Sequence, residues 1–354
     1  MQPIIVICPD DGNQSEKNRL SSVLEYALNG IEHRFITKAA QLTSLNGEKL
    51  LFAVSLGKFG VNTEYYAMLG YIRSNMGCFS NCIGGIIVDG DSDLYTKSLA
   101  RELVFAANCA GCAFVGRPLV EGTKTLDNFT VLAQLMETDN LGAYYKSCRI
   151  LTEQLRDFEG FAKPDKKPNL LVLHASSHKS SNTFALWNKV KEQLGDRFDI
   201  TEIGLRNGTL SDCAGCPYTT CLHFGERGSC FYGGIMANEV YPAVLAANAV
   251  VMLCPNYNDA LSANLTACIN RLTALFRTVR FYDKALFGIV VSGYSGSDIV
   301  AQQLIAALNM NKTFFLPANF CMMETANNAG TAVKLPDIDK RISAFADNII
   351  NALT

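Results

Sequence analysis

Leu170-Leu171-Val172-Leu173-His174-Ala175-Ser176-Ser177-His178-Lys179-Ser180-Ser181-Asn182-Thr183 is the stretch around which the chain is organised. A short apolar run breaks into a loop of small polar residues, and residues 184–194 continue at helical spacing. Strand, small-residue loop and helix start form the arrangement in which backbone N–H groups and a helix dipole meet an anion. Ser176, Ser177, Ser180, Ser181 and Thr183 bring hydroxyls, Asn182 an amide and Lys179 a charge. Two readings stand side by side here: a phosphate-binding loop, or an ordinary helix N-cap cluster.

Outward from this stretch, strands are expected over 169–174, 198–203, 249–254, 287–292 and 313–316. Helices are expected over 184–194, 238–247, 262–275, 298–308 and 337–352. Five strand–helix steps match the flavodoxin-like doubly wound order. The first half runs to the same rhythm, with strands over 4–8, 49–56, 84–88 and 113–115 and helices over 16–27, 63–74, 95–107 and 126–158. Near-continuous apolar strands separated by helices argue for parallel sheets covered on both faces. A charged segment with Pro164 and Pro168 separates the halves. The expected organisation is α/β: two tandem flavodoxin-like doubly wound parallel-sheet domains over 1–160 and 169–354, a linker over 161–168, and a cysteine-rich insertion over 205–232.

The halves also align by letter. Gly85-Ile86-Ile87-Val88-Asp89-Gly90-Asp91-Ser92 lies over Gly288-Ile289-Val290-Val291-Ser292-Gly293-Tyr294-Ser295, and Leu103, Asn108 and Phe114 lie over Leu304, Asn309 and Phe315. A tandem duplication is the natural reading. Its first copy is degenerate, because Pro9-Asp10-Asp11-Gly12-Asn13 places two carboxylates where the second copy has Ser176-Ser177-His178. A cofactor site therefore belongs to the second copy. The duplication also suggests that the copies pack as two subunits do in a dimer, with a homo-oligomer as the other possibility.

At 354 residues two domains are the natural division. A formal charge of −2 and a pI near 6.1 provide no basic footprint for nucleic acid or an anionic membrane surface. No apolar run reaches transmembrane length, and from the opening strand-like Ile4-Ile5-Val6-Ile7, without a basic or long apolar region, secretion is not expected. A cytoplasmic, reducing setting is expected, in which the thirteen cysteines are thiols, metal ligands or redox groups before they are disulfides.

Four of them crowd the insertion. Cys213, Cys216, Cys221 and Cys230 have two, four and eight residues between them. Such a set can hold an iron–sulfur cluster or zinc, or can stand as unliganded thiols. Two further loops, Cys254-Pro255-Asn256-Tyr257-Asn258-Asp259 and Ser292-Gly293-Tyr294-Ser295-Gly296-Ser297, fall at the carboxyl edge of the second sheet, where doubly wound folds bind ligands. Tyr257 offers a flat face to an aromatic ligand. Gly293-Tyr294-Ser295-Gly296-Ser297 is not a hydrolase elbow, since Ser297 stands at its last glycine and no histidine follows His223. The P-loop and Gly-x-Gly-x-x-Gly patterns are absent.

With these loops, residues 169–316 resemble the NADPH-dependent FMN reductase family, and with the cysteine insertion they are similar to iron–sulfur flavoproteins. The likeness is strongest in Cys254-Pro255-Asn256-Tyr257, Leu261-Ser262-Ala263-Asn264-Leu265 and Ile269-Asn270-Arg271. It implies that Ser176, Ser177, Ser181, Asn182 and Thr183 hold the FMN phosphate. Pro255, Asn256, Tyr257 and Asn258 would line the isoalloxazine ring, with Ser292 and Gly293 at its other edge. Cys213, Cys216, Cys221 and Cys230 would ligate a [4Fe–4S] cluster. The implied function is an FMN-dependent oxidoreductase or electron-transfer flavoprotein, exchanging electrons with NAD(P)H, a small carrier or a protein partner. The alternative is a cofactor-free flavodoxin-like scaffold that binds a partner or senses redox state.

Overall fold

The computed structural model describes residues 2–12, 19–57, 59–176 and 181–354. Ser177, proposed for the phosphate loop, lies outside the described residues, as do His178, Lys179 and Ser180. The chain forms two compact units, Met1–Gly160 and Phe161–Thr354.

In the first unit the elements are β1 (Ile4–Ile7), α1 (Arg19–Leu28), β2 (His33–Ile36), β3 (Lys49–Leu56), α2 (Thr63–Ser74), β4 (Cys82–Gly90), α3 (Thr96–Cys109), β5 (Cys112–Gly122), α4 (Thr130–Leu135) and α5 (Asn140–Arg156). The strands are all parallel in the order β2-β1-β3-β4-β5. That is the flavodoxin-like order. β3 and β4 are apolar and almost wholly buried, as expected for central strands covered on both faces. β2 shows no such pattern, because it is an edge strand in which His33, Arg34 and Phe35 are exposed.

The second unit contains β6 (Asn169–His174), α6 (Asn182–Leu194), β7 (Asp199–Gly204), α7 (Tyr218–Gly225), α8 (Tyr241–Ala246), β8 (Ala249–Pro255), α9 (Ala263–Phe276), β9 (Ala285–Ser292), α10 (Ser297–Leu304), β10 (Cys321–Thr325) and α11 (Ile338–Leu353). Its sheet, β7-β6-β8-β9-β10, repeats the order of the first, again with every pair parallel. The last strand differs from expectation. Residues 313–316 touch the sheet only through an isolated bridge between Phe315 and Ala285, and the ladder to β9 is made later, from Cys321↔Gly288 to Thr325↔Ser292. Thr313 and Asn319 have left-handed backbones (φ 66° and 50°), and Pro317 has no N–H to donate, so the chain cannot run as a strand until it has passed them. Phe161, in the expected linker, stacks on Phe315 at 4.7 Å and so belongs with this unit.

Within each unit a buried asparagine closes the helical segment after the fourth strand. Asn108 donates to the carbonyl of Cys112 at 3.0 Å and Asn309 to that of Phe314 at 2.8 Å.

The carboxyl edges of the two sheets are finished differently. In the first unit Arg19, at the start of α1, reaches to the end of β4 and pairs with Asp89 at 2.8 Å. It also donates to the carbonyls of Gly90, Gly122 and Thr123, while Tyr144 donates its hydroxyl to Asp89 at 3.0 Å. Asn62 bridges the carbonyls of Pro9 and Ser55 beside it. Side chains of the chain itself thus stitch this edge together. Asp89 aligns with Ser292, which among the described residues is partnered by Asn256 and Ser297 and by no arginine.

Candidate cofactor site

Three loops meet at the carboxyl edge of the second sheet because β6, β8 and β9 are neighbours and end at similar heights. His174 pairs with Leu253, and Pro255 with Val291. The order changes direction between β6 and β8, which makes this edge the topological switch point.

The loop after β6 leads into α6. Ser181 is the N-cap, its Oγ accepting from the Phe184 N–H at 3.3 Å and lying 2.7 Å from Thr183 Oγ1. Thr183 is buried. Asn182 points elsewhere: its amide donates to the carbonyls of Ala326 and Asn328 and accepts from the Ala332 N–H. It ties α6 to the segment after β10 and contributes to the loop as a brace. Ser176 Oγ is buried and has no hydrogen-bond partner among the described residues. The first turn of α6 supplies backbone N–H groups with no intrahelical acceptor. An orphaned hydroxyl beside a helix N-terminus is a fit for phosphate.

The loop after β8 makes a tight turn. Asn258 and Asp259 both adopt left-handed backbones (φ 58° and 54°), and Tyr257 bridges antiparallel to Ala260. Asparagine and aspartate tolerate that conformation better than other side chains. The turn leaves Tyr257 64 % exposed at the crevice lip. Asn256 latches this loop to the next one, its Nδ2 lying 2.9 Å from Ser292 Oγ, 3.0 Å from the Ser295 carbonyl and 3.2 Å from Asp259 Oδ1. With the nitrogen held by acceptors, the amide oxygen faces the other way, and Asn256 Oδ1 is buried without a donor among the described residues. Ser262 Oγ is in the same condition.

The loop after β9 is fitted closely to the first two. Ser292 is fully buried and its Oγ lies 2.7 Å from Ser297 Oγ, so it supports the crevice from behind. Gly296 is left-handed (φ +86°), and a Cβ there would sit 2.0 Å from Asp259 Oδ1. A Cβ on Gly293 would meet Asn327 Oδ1 at 3.2 Å. Tyr294 between them is 83 % exposed. Gln303, from α10, holds the Asp259 carbonyl and the Leu261 N–H. Gln303 and the 326–332 segment were not singled out from sequence, and Ser262 stood in a quoted motif without a role. Ser262 is an ordinary helix-start serine by type, and the other two are distant along the chain.

The cysteines do not assemble. Among the described residues no three of His, Cys, Asp or Glu come together as a metal-binding group, so Cys213, Cys216, Cys221 and Cys230 do not form the expected ligand set. Cys221 rides on α7, and the segments on either side of it are anchored to α9. Asn270 donates to Asp212 at 3.0 Å, and buried Arg271 donates to the carbonyl of Gly233 at 2.7 Å. Arg277 lies over the Tyr218 ring at 4.7 Å. His174 is buried against Phe184 at the end of β6. No described helix is long and apolar enough to cross a membrane.

No curated protein matches the chain. Similar solved structures include RosB with bound 8-demethyl-8-formylriboflavin-5'-phosphate (13% identity, 52% of this chain and 78% of that chain, TM-score 0.41). An FMN-dependent NADH-azoreductase from Bacillus anthracis in complex with FMN is 13% identical over 52% of this chain and 99% of that chain, with a TM-score of 0.33. Rubredoxin oxygen:oxidoreductase from Desulfovibrio gigas is 11% identical over 84% of this chain and 56% of that chain, with a TM-score of 0.32. Residues 168–328 match the family described as NADPH-dependent FMN reductase. The second half of the chain is thus similar to the NADPH-dependent FMN reductase family, over a match that spans residues 168–328.

Proposed function

We propose that the second unit binds FMN at its carboxyl edge and that the protein is an FMN-dependent oxidoreductase, with NAD(P)H or a small carrier as electron donor. The observation that carries this reading is a set of buried polar atoms on the loops of that edge that have no hydrogen-bond partner among the described residues: Ser176 Oγ, Asn256 Oδ1 and Ser262 Oγ. A buried polar atom without a partner costs free energy, and a ligand with matching groups removes that cost. Ser176 and the start of α6 would hold the phosphate, with Ser181 and Thr183 fixing the helix start. Asn256 would accept from a ring N–H, and Tyr257 would give the ring a flat neighbour. Gly293 and Gly296 let the far loop pack closely on Asn327 and on Asp259, which fixes the wall of the crevice. FMN, when bound, supplies the hydride and electron chemistry. No step is routed through the cysteine insertion, whose thiols lack a ligand-like arrangement.

Titration of FMN into the purified protein tests this, followed by anaerobic addition of NADPH and of NADH. Saturable quenching of flavin fluorescence and bleaching of the bound flavin are expected. Absence of saturable binding would overturn the reading. Binding without bleaching by either nucleotide would move the donor to a small carrier.

A further inference from the structure

One cleft in the first unit takes no part in the flavin reading. It has a volume of about 810 Å³ and lies between α1 and the edge strand β2. Leu24 and Leu28 of α1 are its buried apolar floor, and Phe35 of β2, 47 % exposed, is its wall. Strand alternation turns residues 33, 35 and 37 to this side and Arg34 to the other. His33 is fixed by a 2.7 Å hydrogen bond between Nδ1 and the Ile31 carbonyl, and its ring meets Phe35 edge-on at 5.4 Å. A concave apolar site of this size takes a small organic ligand.

The charge around it has one sign. Asp10, Glu25 and Glu32 line the cleft, and none of them makes an ion pair among the described residues. Two cations of neighbouring elements are engaged. Lys38 donates to the Asp10 carbonyl and lies 3.8 Å from Glu64, while Arg149 pairs with Glu153 at 2.7 Å and donates to the carbonyls of Ala27 and Asn29. Burial and the Asp10 carboxylate push the Cys8 thiol up to about 11, so this lining residue stays neutral. The cleft therefore offers carboxylates without an ion-pair partner among the described residues, above an apolar, aromatic surface.

We propose that this cleft binds an amphipathic organic cation, its ammonium facing Asp10, Glu25 and Glu32 and its apolar body lying on Leu24, Leu28 and Phe35. Both halves of that ligand are needed: the carboxylates select the charge, and the floor and the Phe35 ring select the body.

Calorimetry on the full chain saturated with FMN tests this with two probes of one ring system and opposite charge, tryptamine and indole-3-propionate. Tryptamine should bind at least about tenfold more tightly, equivalent to ~1.4 kcal/mol. The double variant Glu25→Gln/Glu32→Gln, at two exposed positions, should weaken tryptamine by about the same factor with bound flavin unchanged. Phe35→Lys, at a half-exposed position, should do so as well by setting a fixed positive charge in the wall. Equal binding of the two probes, tryptamine binding untouched by the variants, or no binding at millimolar tryptamine would each overturn the proposal.

Discussion

Ser176→Ala should move two measurements in opposite directions. Its hydroxyl oxygen is buried without a partner among the described residues, and an unmade hydrogen bond at such a site costs about 1–3 kcal/mol. Ser176 as a residue is only partly buried, so the low end applies, and the alanine variant without flavin should be about 1 kcal/mol more stable. For a domain of this size that corresponds to a rise of about 2–4 °C in Tm. With FMN present the sign reverses. A hydrogen bond from the hydroxyl to a charged phosphate contributes about 1.5–3 kcal/mol, so its removal should raise the Kd about tenfold to a hundredfold. Thermal melts of the flavin-free proteins and fluorescence titrations with FMN give the two numbers. A flavin-free variant that melts lower than the parent would show that the hydroxyl is already satisfied. An unchanged Kd would remove Ser176 from the phosphate site.

Three other outcomes follow from the same geometry. Gly296→Ala forces an L side chain into a left-handed backbone and sets its Cβ 2.0 Å from Asp259 Oδ1; a loss of about 2 kcal/mol in urea unfolding, with weaker FMN binding, is expected, and wild-type behaviour would contradict the packing described. Asp89→Ala strips Arg19 and Tyr144 of their shared acceptor; because Arg19 is partly solvated, a loss of about 2 kcal/mol is expected, and a change below about 0.5 kcal/mol would show that the cluster does not hold the first unit's edge. Glu202 is subject to desolvation, which opposes its charge, yet the Trp187 indole N–H and the Lys191 ammonium hold its carboxyl below the usual range. A depressed carboxyl stabilises the folded state fully above its unfolded pKa and loses that contribution as pH falls, so melts of wild type and Glu202→Gln should converge below about pH 4; a constant gap between pH 7 and pH 3 would contradict this.

Much of the fold was legible in the residues. The buried strands read as apolar runs because both faces of a parallel sheet are covered, and α2 and β6 fall where the periodicity puts them. β2 was not legible, since an edge strand with three exposed residues has neither an apolar run nor a clean alternation. The apolar residues at 313–316 look like a strand, but Thr313, Pro317 and Asn319 impose local backbone geometry that a burial pattern does not register. At the site, residue type located the loops but not the work of each side chain. Asn182 carries the right donors for phosphate and spends them on the 326–332 segment, a partner about 150 positions away. The cysteine spacing suggested a ligand set, whereas among the described residues no three metal-ligating side chains come together, with Cys221 on α7 and the flanking segments anchored to α9.

The most direct test of a single FMN site in the second unit is cofactor stoichiometry on protein purified without oxygen, by absorption spectrum, phosphate-containing flavin assay and iron analysis. One FMN per chain without stoichiometric iron is the expected result. A colourless protein that takes up no added FMN would contradict the cofactor site, two FMN per chain would contradict the closed edge of the first unit, and four irons per flavin would contradict the separation of the four cysteines.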